Sequence, residues 1–240
     1  MPAIRRKSPP CLDGTEDCQA RQALARWSAR LYETGLITGA DGNLSSRIDH
    51  HTFWITPGGR HKGSLGPADM LKMNIQGEVL AGDGQPSKEY LLHSAVYQNR
   101  PEVRTVVHAH PFHAVLNSMT GKRLYPCLMP ESLIYLGYVP TIPFRIPTSP
   151  ELAEEFRIHL GNGKAFILER HGAVTLGKDF EEAFIRMETL EWVSRILKEL
   201  PDPRKCLMTA KEVHLAVHRF KLTDFECPLC DQGCGFHSRL

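Results

Sequence analysis

The chain has 240 residues, of which 42% are hydrophobic and 23% charged, and its formal net charge at pH 7 is +2. This composition is typical of a globular protein with a substantial core, and the near balance of charges gives no reason to expect a nucleic acid partner. No apolar run reaches the ~18 residues that a membrane span needs, and no apolar stretch follows the basic start. We therefore expect a cytoplasmic protein with no membrane partner.

The first half of the chain predicts two helices separated by a hairpin. Apolar residues recur at helical spacing from Glu16 and stop before Gly35, which predicts an amphipathic helix. The segments GADGNLSSRI and HTFWITPGG predict two short strands that form a hairpin. After AGDGQP, Ser87 is expected to cap a helix that runs through Tyr90 and ends before Pro101.

The second half alternates strands and helices irregularly. VRTVVHAH follows the second helix as a buried strand, and VPTIPF is a shorter apolar stretch. Pro150 opens a helix that ends at Gly161, and KAFILERHGAVTLG predicts two strands with a turn at His171. Asp179 and Glu182 have the spacing of a capping box before another helix. This order predicts an α/β sandwich whose sheet is not purely parallel.

Two histidines stand one residue apart in the strand VRTVVHAH. Side chains on a strand alternate between faces, so His108 and His110 point to the same side and can hold one ion. His171, at a turn after another strand, would complete a set of three. Imidazole suits zinc, and three protein ligands with one open position are typical of a catalytic zinc site. The alternative is two core histidines satisfied by hydrogen bonds and one turn histidine.

The string PSKE stands where the second predicted helix begins. Ser87 and Lys88 would lie at a helix N-terminus, where unpaired backbone N–H groups and the helix dipole attract an anion such as phosphate. Glu89, on the first turn, could reach the metal or a substrate proton. The alternative is that all three residues only cap the helix.

Other histidines are weaker candidates for a site. His113 would face the same side as His108 only if the strand continued past Pro111, so we expect at most a supporting role. His93 is expected to be structural. A second histidine pair lies four residues apart on a predicted helix, where a solvated face is the favoured interpretation: His214 and His218.

The C-terminal segment CPLCDQGCGFH is rich in thiols. Thiolates in such close order suit zinc, and a short tail with few apolar residues needs a staple if it is ordered. The alternative is a flexible end with incidental thiols. We place a domain boundary between residues 1–220 and a Cys-rich tail, 221–240. The second metal site predicted there consists of Cys227, Cys230, Cys234 and His237.

Five motifs in order make residues 20–200 resemble the class II aldolase/adducin family, which includes L-fuculose-phosphate aldolase. They are GADGNLSSR, ITPGG, PSKE, HAHP and RHGAV. The resemblance implies a three-layer α/β/α sandwich with a mostly antiparallel central sheet. It also implies a homotetramer with sites between subunits.

The resemblance further implies the residues of the site. Glu89 would ligate the metal at rest and shuttle a proton during turnover. The metal would be Zn²⁺, one per subunit, with Fe²⁺, Mn²⁺ or Co²⁺ as alternatives. The implied metal ligands are His108, His110, His171 and Glu89. The loops that bind the substrate's phosphate are matched by Gly42, Asn43, Gly58, Gly59, Ser87 and Lys88.

The activity implied is a zinc-dependent lyase that reversibly cleaves a small ketose phosphate similar to L-fuculose 1-phosphate. The metal would stabilise the enediolate that appears when the C–C bond breaks. An adducin-like scaffold without catalysis is one alternative. Another keeps the histidine site but uses ferrous iron for oxygen chemistry.

Departures from the aldolase pattern support a further alternative. Fuculose-phosphate aldolase has serine where this chain has Lys88, and threonine where this chain has Gly58. A lysine at position 88 makes the sequence similar to the branch of the family that decarboxylates phosphorylated 3-keto sugar acids. The aldolase uses a tyrosine near its C-terminus, whereas this chain has no tyrosine after Tyr138. Another tyrosine of the aldolase falls in the segment that corresponds to residues 129–131 here, where Glu131 could take over a polar role; the alternative is a solvated loop glutamate. The epimerase branch has aspartate at the position of Glu89, which argues against epimerisation.

Overall fold

The computed structural model describes residues 14–222 of the chain. The helices in this range are α1 (Glu16–Glu33), α2 (Tyr90–Asn99), α3 (Phe112–Met119), α4 (Pro150–His159), α5 (Phe180–Glu199) and α6 (Ala210–Phe220). The strands are β1 (Asn43–Arg47), β2 (Thr52–Ile55), β3 (Leu71–Asn74), β4 (Val79–Ala81), β5 (Thr105–Ala109), β6 (Thr141–Ile142), β7 (Ala165–Leu168) and β8 (Gly172–Gly177). The predicted Cys-rich metal site lies outside the described residues.

All eight strands form one open sheet, in the order β4-β3-β2-β1-β5-β8-β7-β6. Neighbouring strands are antiparallel, except β6 and β7, which pair in parallel. The predicted hairpin is β1–β2, in which Ser45 pairs with Ile55. The prediction of a mostly antiparallel sheet is confirmed.

Helices cover both faces of the sheet. One core joins α1, α3 and α5 to one face, and a second core joins α2 and α4 to the other. Strand β5 shows the alternation directly, because Val107 and Ala109 belong to the first core while Val106 belongs to the second. His108 and His110 have the parity of Val106, so they face the side of α2 and α4. The predicted three-layer α/β/α sandwich is confirmed.

Local capping explains where most helices begin. Ser149 accepts a hydrogen bond from the N–H of Leu152 ahead of α4, and Asp179 accepts one from Glu182 ahead of α5. The prediction that Ser87 caps α2 is wrong. Its Oγ accepts from the Glu89 N–H at 3.3 Å, and the helix begins only at Tyr90, so Ser87 instead holds the turn that leads into the helix.

Four elements differ from the sequence-based expectation. Strands β3 and β4 and helix α3 were not predicted, and α3 follows immediately after Pro111, which ends the β5 segment as expected. Ser132–Leu136 forms a short π-helix.

Among residues 14–222, no helix has the length and apolar character needed to cross a bilayer.

Candidate metal centre and substrate pocket

The candidate centre lies at one end of three neighbouring central strands, β1, β5 and β8. Asn43, at the start of β1, pairs with His108 near the end of β5, and Ala109 pairs with Ala173 at the start of β8. The turn that precedes β8 carries His171, and His110 follows β5 directly. Antiparallel pairing therefore brings residues that are distant in the sequence to the same place.

The three predicted histidines converge on a common space. One ligand nitrogen from each of His108, His110 and His171 lies within 4.8 Å of the other two. Nε2 of His110 is 3.2 Å from Nε2 of His108, and His108 is fully buried. Their side chains could hold one metal ion.

Glu89 lies against two of these histidines. Its Oε2 is 3.1 Å from Nε2 of His108, and its Oε1 is 3.1 Å from Nε2 of His171. Burial raises the pKa of Glu89, but His108 and His171 outweigh that effect and hold the pKa well below its usual range. Burial lowers the pKa of His108, and the stronger effect of Glu89 raises it overall. Glu89 is therefore a carboxylate, fixed at the centre before any ligand arrives.

His110 differs from His108 because no carboxylate among residues 14–222 is in hydrogen-bond contact with it. Burial, together with His108 and His171, lowers the pKa of His110 to about 3. The nearest acidic atom, Oδ2 of Asp41, is 3.9 Å from Nδ1 of His110. His110 is thus neutral at physiological pH, which is the form that ligates a metal.

The donor set fits a divalent cation. Nδ1 of His108 donates to the carbonyl oxygen of Ala173 at 3.0 Å, so Nε2 is the nitrogen that faces the shared space and would ligate a metal. Within residues 14–222, Oε1 of Glu89 and Nδ1 of His171 are buried and make no hydrogen bond, apart from the 3.1 Å approach of Oε1 to Nε2 of His171. Buried polar atoms with so few partners are rare in folded proteins, and a bound ion would satisfy Oε1 of Glu89 directly.

A series of buried hydrogen bonds leads from Ser45 to Glu89. Oγ of Ser45 is 2.5 Å from Nδ1 of His93, whose Nε2 is 2.5 Å from Oδ1 of Asn43. The side-chain amide of Asn43 then donates to Oε2 of Glu89 at 3.0 Å. Burial lowers the pKa of His93 to about 3, so the ring is neutral and can accept from Ser45 while it donates to Asn43.

These buried hydrogen bonds refine two of the sequence-based interpretations. His93 is buried and hydrogen-bonded, as expected of a structural histidine, but it acts next to the site rather than apart from it. Asn43 lines the pocket, yet its side chain is already bonded to Glu89 and His93. The part that Asn43 plays in phosphate binding remains a prediction.

The centre opens into a cavity of about 910 Å³. The loop after β2 and the loop before α2 form one wall, where the N–H of Gly58 donates to Gln85 O at 3.0 Å. A Cβ on Gly58 would be 2.9 Å from Pro86 O, so the close approach of these loops requires glycine. All six residues predicted to bind phosphate line this cavity: Gly42, Asn43, Gly58, Gly59, Ser87 and Lys88.

Lys62 also lines the cavity, and sequence analysis missed it. Its side chain is only 1% exposed, and its Nζ donates to the carbonyl oxygens of Ala40 and Arg60. The only signal in the sequence is a lysine four residues after Gly58 in ITPGGRHKGS, which by itself resembles any surface lysine.

Other candidates lie away from the centre. Nδ1 of His113 on α3 is 2.6 Å from Oε1 of Glu191 on α5. Glu131 is exposed and does not line the cavity, so the structure gives no support to its polar role there. His214 and His218 are exposed on α6 with ring centroids 4.2 Å apart, and no third metal ligand joins them within the described part of the chain.

Comparison with known proteins agrees with this geometry. The family described as Class II Aldolase and Adducin N-terminal domain matches residues 22–197. The 3-oxo-tetronate 4-phosphate decarboxylase of Haemophilus influenzae is 30% identical over 201 residues, which are 82% of this chain and 95% of that protein. The L-fuculose phosphate aldolase of Methanococcus maripaludis is 32% identical over 166 residues, 69% of this chain and 88% of that protein.

Structural comparison gives the same result. The crystal structure of Escherichia coli YgbL superimposes with a TM-score of 0.78 and 28% identity, over 84% of this chain and 99% of that one. A structure of L-fuculose 1-phosphate aldolase gives a TM-score of 0.75 and 25% identity, over 89% and 100% of the two chains. The chain therefore belongs to the class II aldolase and adducin family, and it is an enzyme of the metal-dependent class II aldolase type.

Proposed function

We propose that this protein is a metal-dependent decarboxylase of a small phosphorylated 3-keto sugar acid. The observation that carries the proposal is the cavity itself, in which the His–Glu centre shares one space with two lysines, Lys62 and Lys88. A phosphorylated keto acid has two anionic groups, and two cations in one cavity match them. The decarboxylase relatives, which align over more of this chain than the aldolase does, support the same choice.

His108, His110 and His171 would hold the cation, with Glu89 as a further ligand before substrate binds. We assign Zn²⁺ to this site, with Fe²⁺, Mn²⁺ or Co²⁺ as substitutes, because imidazole and carboxylate donors suit all four ions. When bound, a divalent cation supplies a Lewis acid that polarises a carbonyl oxygen.

Glu89 is the group we assign to proton transfer. Decarboxylation breaks the bond between the carboxyl carbon and its neighbour, releases CO₂ and leaves the neighbouring carbon in need of one proton. Glu89 begins as a carboxylate, since its pKa is held low; once substrate displaces it from the cation it would take up a proton from water and pass it to that carbon. The amide of Asn43 keeps Oε2 of Glu89 in place during this exchange.

We assign the two anionic groups of the substrate to different parts of the cavity. Gly58, Gly59 and Ser87 line the side of the cavity where two loops meet, and we assign the phosphate to this part. Lys88 is exposed at the turn before α2, adjacent to Glu89, and we assign it to the substrate carboxylate. Lys88→Ser should then lower kcat on a 3-keto acid phosphate as well as raise KM.

A product assay tests the proposal. Zinc-loaded protein is given a four-carbon 3-keto acid 4-phosphate and, separately, a ketose 1-phosphate, and CO₂ and aldehyde are both measured. Release of CO₂ in step with loss of the keto acid is the expected result. Aldehyde from the ketose phosphate without CO₂ from the keto acid would instead assign the protein to aldol cleavage.

Aldol cleavage is the second candidate, favoured by the aldolase relative and by the similarity to L-fuculose 1-phosphate aldolase structures. The absence of any tyrosine after Tyr138 counts against it, since the resemblance assigns a C-terminal tyrosine to the aldolase. Oxygen consumption coupled to substrate loss would instead favour ferrous iron chemistry. No turnover of either substrate class would favour an adducin-like scaffold.

We also propose that copies of this chain assemble, with a homotetramer as the expected form in the cytoplasm. Phe112 and Met119 lie seven residues apart on α3 and are both exposed, and α3 begins immediately after the segment that carries His110. Trp192 is exposed on α5, the helix that packs against α3. Light scattering should give the mass of four chains, and a monomer at micromolar concentration would contradict this expectation.

A further inference from the structure

Lys62 connects the two loops that form one end of the cavity. Its Nζ donates to Ala40 O at 2.8 Å and to Arg60 O at 3.0 Å, and its backbone N–H donates to Gly39 O at 2.9 Å. Ala40 lies in the loop before β1, and Arg60 lies in the loop after β2. The ammonium group therefore sits between the two loops that carry Gly42 and the Gly58–Gly59 pair.

The charge of Lys62 is poorly compensated inside the protein. Within residues 14–222, no carboxylate oxygen comes within 4.0 Å of its Nζ. Burial lowers the pKa of Lys62 to about 8, although Asp41 and Glu89 act in the opposite direction. A buried cation without an ion-pair partner is costly, and it becomes favourable when an anion binds beside it.

The geometry leaves Lys62 able to make one more hydrogen bond. An ammonium group has three donors, and the two carbonyl oxygens take two of them. Lys62 lines the cavity and is 1% exposed, so a ligand that accepts from the third donor would have to reach the ammonium group from the cavity. The two carbonyls also fix the direction of the group, so little side-chain freedom is lost when a ligand binds.

We infer that Lys62 binds the phosphate group of the substrate and holds the two phosphate-binding loops together. This inference rests on the proposed function, because it takes the substrate to be phosphorylated. It adds to that function a buried cation that the loop motifs do not include. Lys88, which is exposed, would then be left for the carboxylate.

Binding of inorganic phosphate to the zinc-loaded full-length protein, measured by isothermal titration calorimetry, tests the inference without any turnover. Lys62→Met removes both the charge and the donors, whereas Lys62→Gln removes the charge and keeps donors for the carbonyl oxygens. Both should bind phosphate about 10- to 100-fold more weakly than the wild type, with unchanged zinc content. Lys72→Met is the matched control, because Lys72 pairs with Asp17 away from the cavity and should leave phosphate affinity unchanged.

The two variants separate charge from structure. If Lys62→Gln binds phosphate as tightly as the wild type, Lys62 only ties the loops and the inference is wrong, even if Lys62→Met fails to fold. Phosphate binding that is normal in the wild type and lost in Lys62→Gln supports the inference, whatever reaction the enzyme performs. Failure of the wild type to bind phosphate would overturn both the inference and the phosphorylated substrate, whereas phosphate binding without CO₂ release would overturn the proposed reaction alone.

Discussion

Gly172→Ala should damage the candidate metal centre although glycine itself has no donor to offer. A Cβ at position 172 would be 2.5 Å from Ala109 O, 2.8 Å from Cδ2 of His110 and 2.9 Å from Cε1 of His108. All three distances are shorter than carbon atoms tolerate. The oxygen belongs to the backbone of β5, which pairs with β8, and the other two atoms belong to candidate metal ligands. The added methyl group must therefore shift the β5 backbone, the histidine rings or both.

The expected effect has two parts. Overpacking of a closely packed site costs about 1–3 kcal/mol, and for a chain of this size that lowers Tm by about 2–12 °C. Displaced histidines should also bind zinc about 10- to 100-fold more weakly, which is the usual effect of disturbing the groups that orient metal ligands.

Thermal unfolding of the metal-free protein measures the change in Tm. Competition with a chromogenic chelator measures the change in zinc affinity. Gly66→Ala is the matched control, because Gly66 has a φ of −99° and its Cβ would meet only Oδ2 of Asp69, at 3.8 Å. Gly66→Ala should change neither Tm nor zinc affinity. Wild-type zinc affinity and wild-type Tm in the Gly172→Ala protein would refute the close packing of this turn against both histidines.

Three further predictions concern the metal, the phosphate loops and the buried histidine. Purified protein should contain about one divalent ion per chain, lost in His108→Ala, and metal retained after replacement of all three histidines would contradict the site. Gly58→Ala places a Cβ 2.9 Å from Pro86 O and should raise KM several-fold with unchanged zinc content, so an unchanged KM would count against the loop contact. The pKa of His93 is about 3 in the folded protein and near 6.5 in the unfolded chain. The neutral His93 ring therefore contributes its full stability above pH 6.5, and this contribution is lost as the pH falls toward 3. Urea unfolding of His93→Gln between pH 7 and 4 should show a shallower loss than the wild type, by up to about 1.4 kcal/mol per pH unit, and equal slopes would contradict the buried neutral ring.

The sequence was informative where one local rule decides the structure. Alternation along a strand placed His108 and His110 on one face, and the structure has them there because Val106 and Val107 pack into opposite cores. Helix α4 begins at its predicted proline for an equally local reason. Their convergence with His171 depends on the pairing of β5 with β8, which no local pattern in the sequence reveals.

The features that were missed depend on contacts between distant residues. Lys62 is buried because the loops before β1 and after β2 close over it, and no neighbour in the sequence reveals that. The amide of Asn43 is held toward Glu89 by hydrogen bonds to Glu89 and to His93 of α2, which are about 50 residues away in the sequence. Helix α3 has a local signal in the apolar spacing of Phe112, Val115 and Met119, but it begins at the same proline, Pro111, that ends the β5 segment.

The two edges of the sheet have a consequence for aggregation. Strand β6 has only two residues and lies between Pro140 and Pro143, which have no N–H to offer an added strand. Strand β4 has three residues, and the register of its pairing with β3 is interrupted by a bulge. Short, irregular edges of this kind discourage strand addition and the growth of fibrils. Copies of the chain that associate would therefore meet through helical and loop surfaces rather than through the sheet edges.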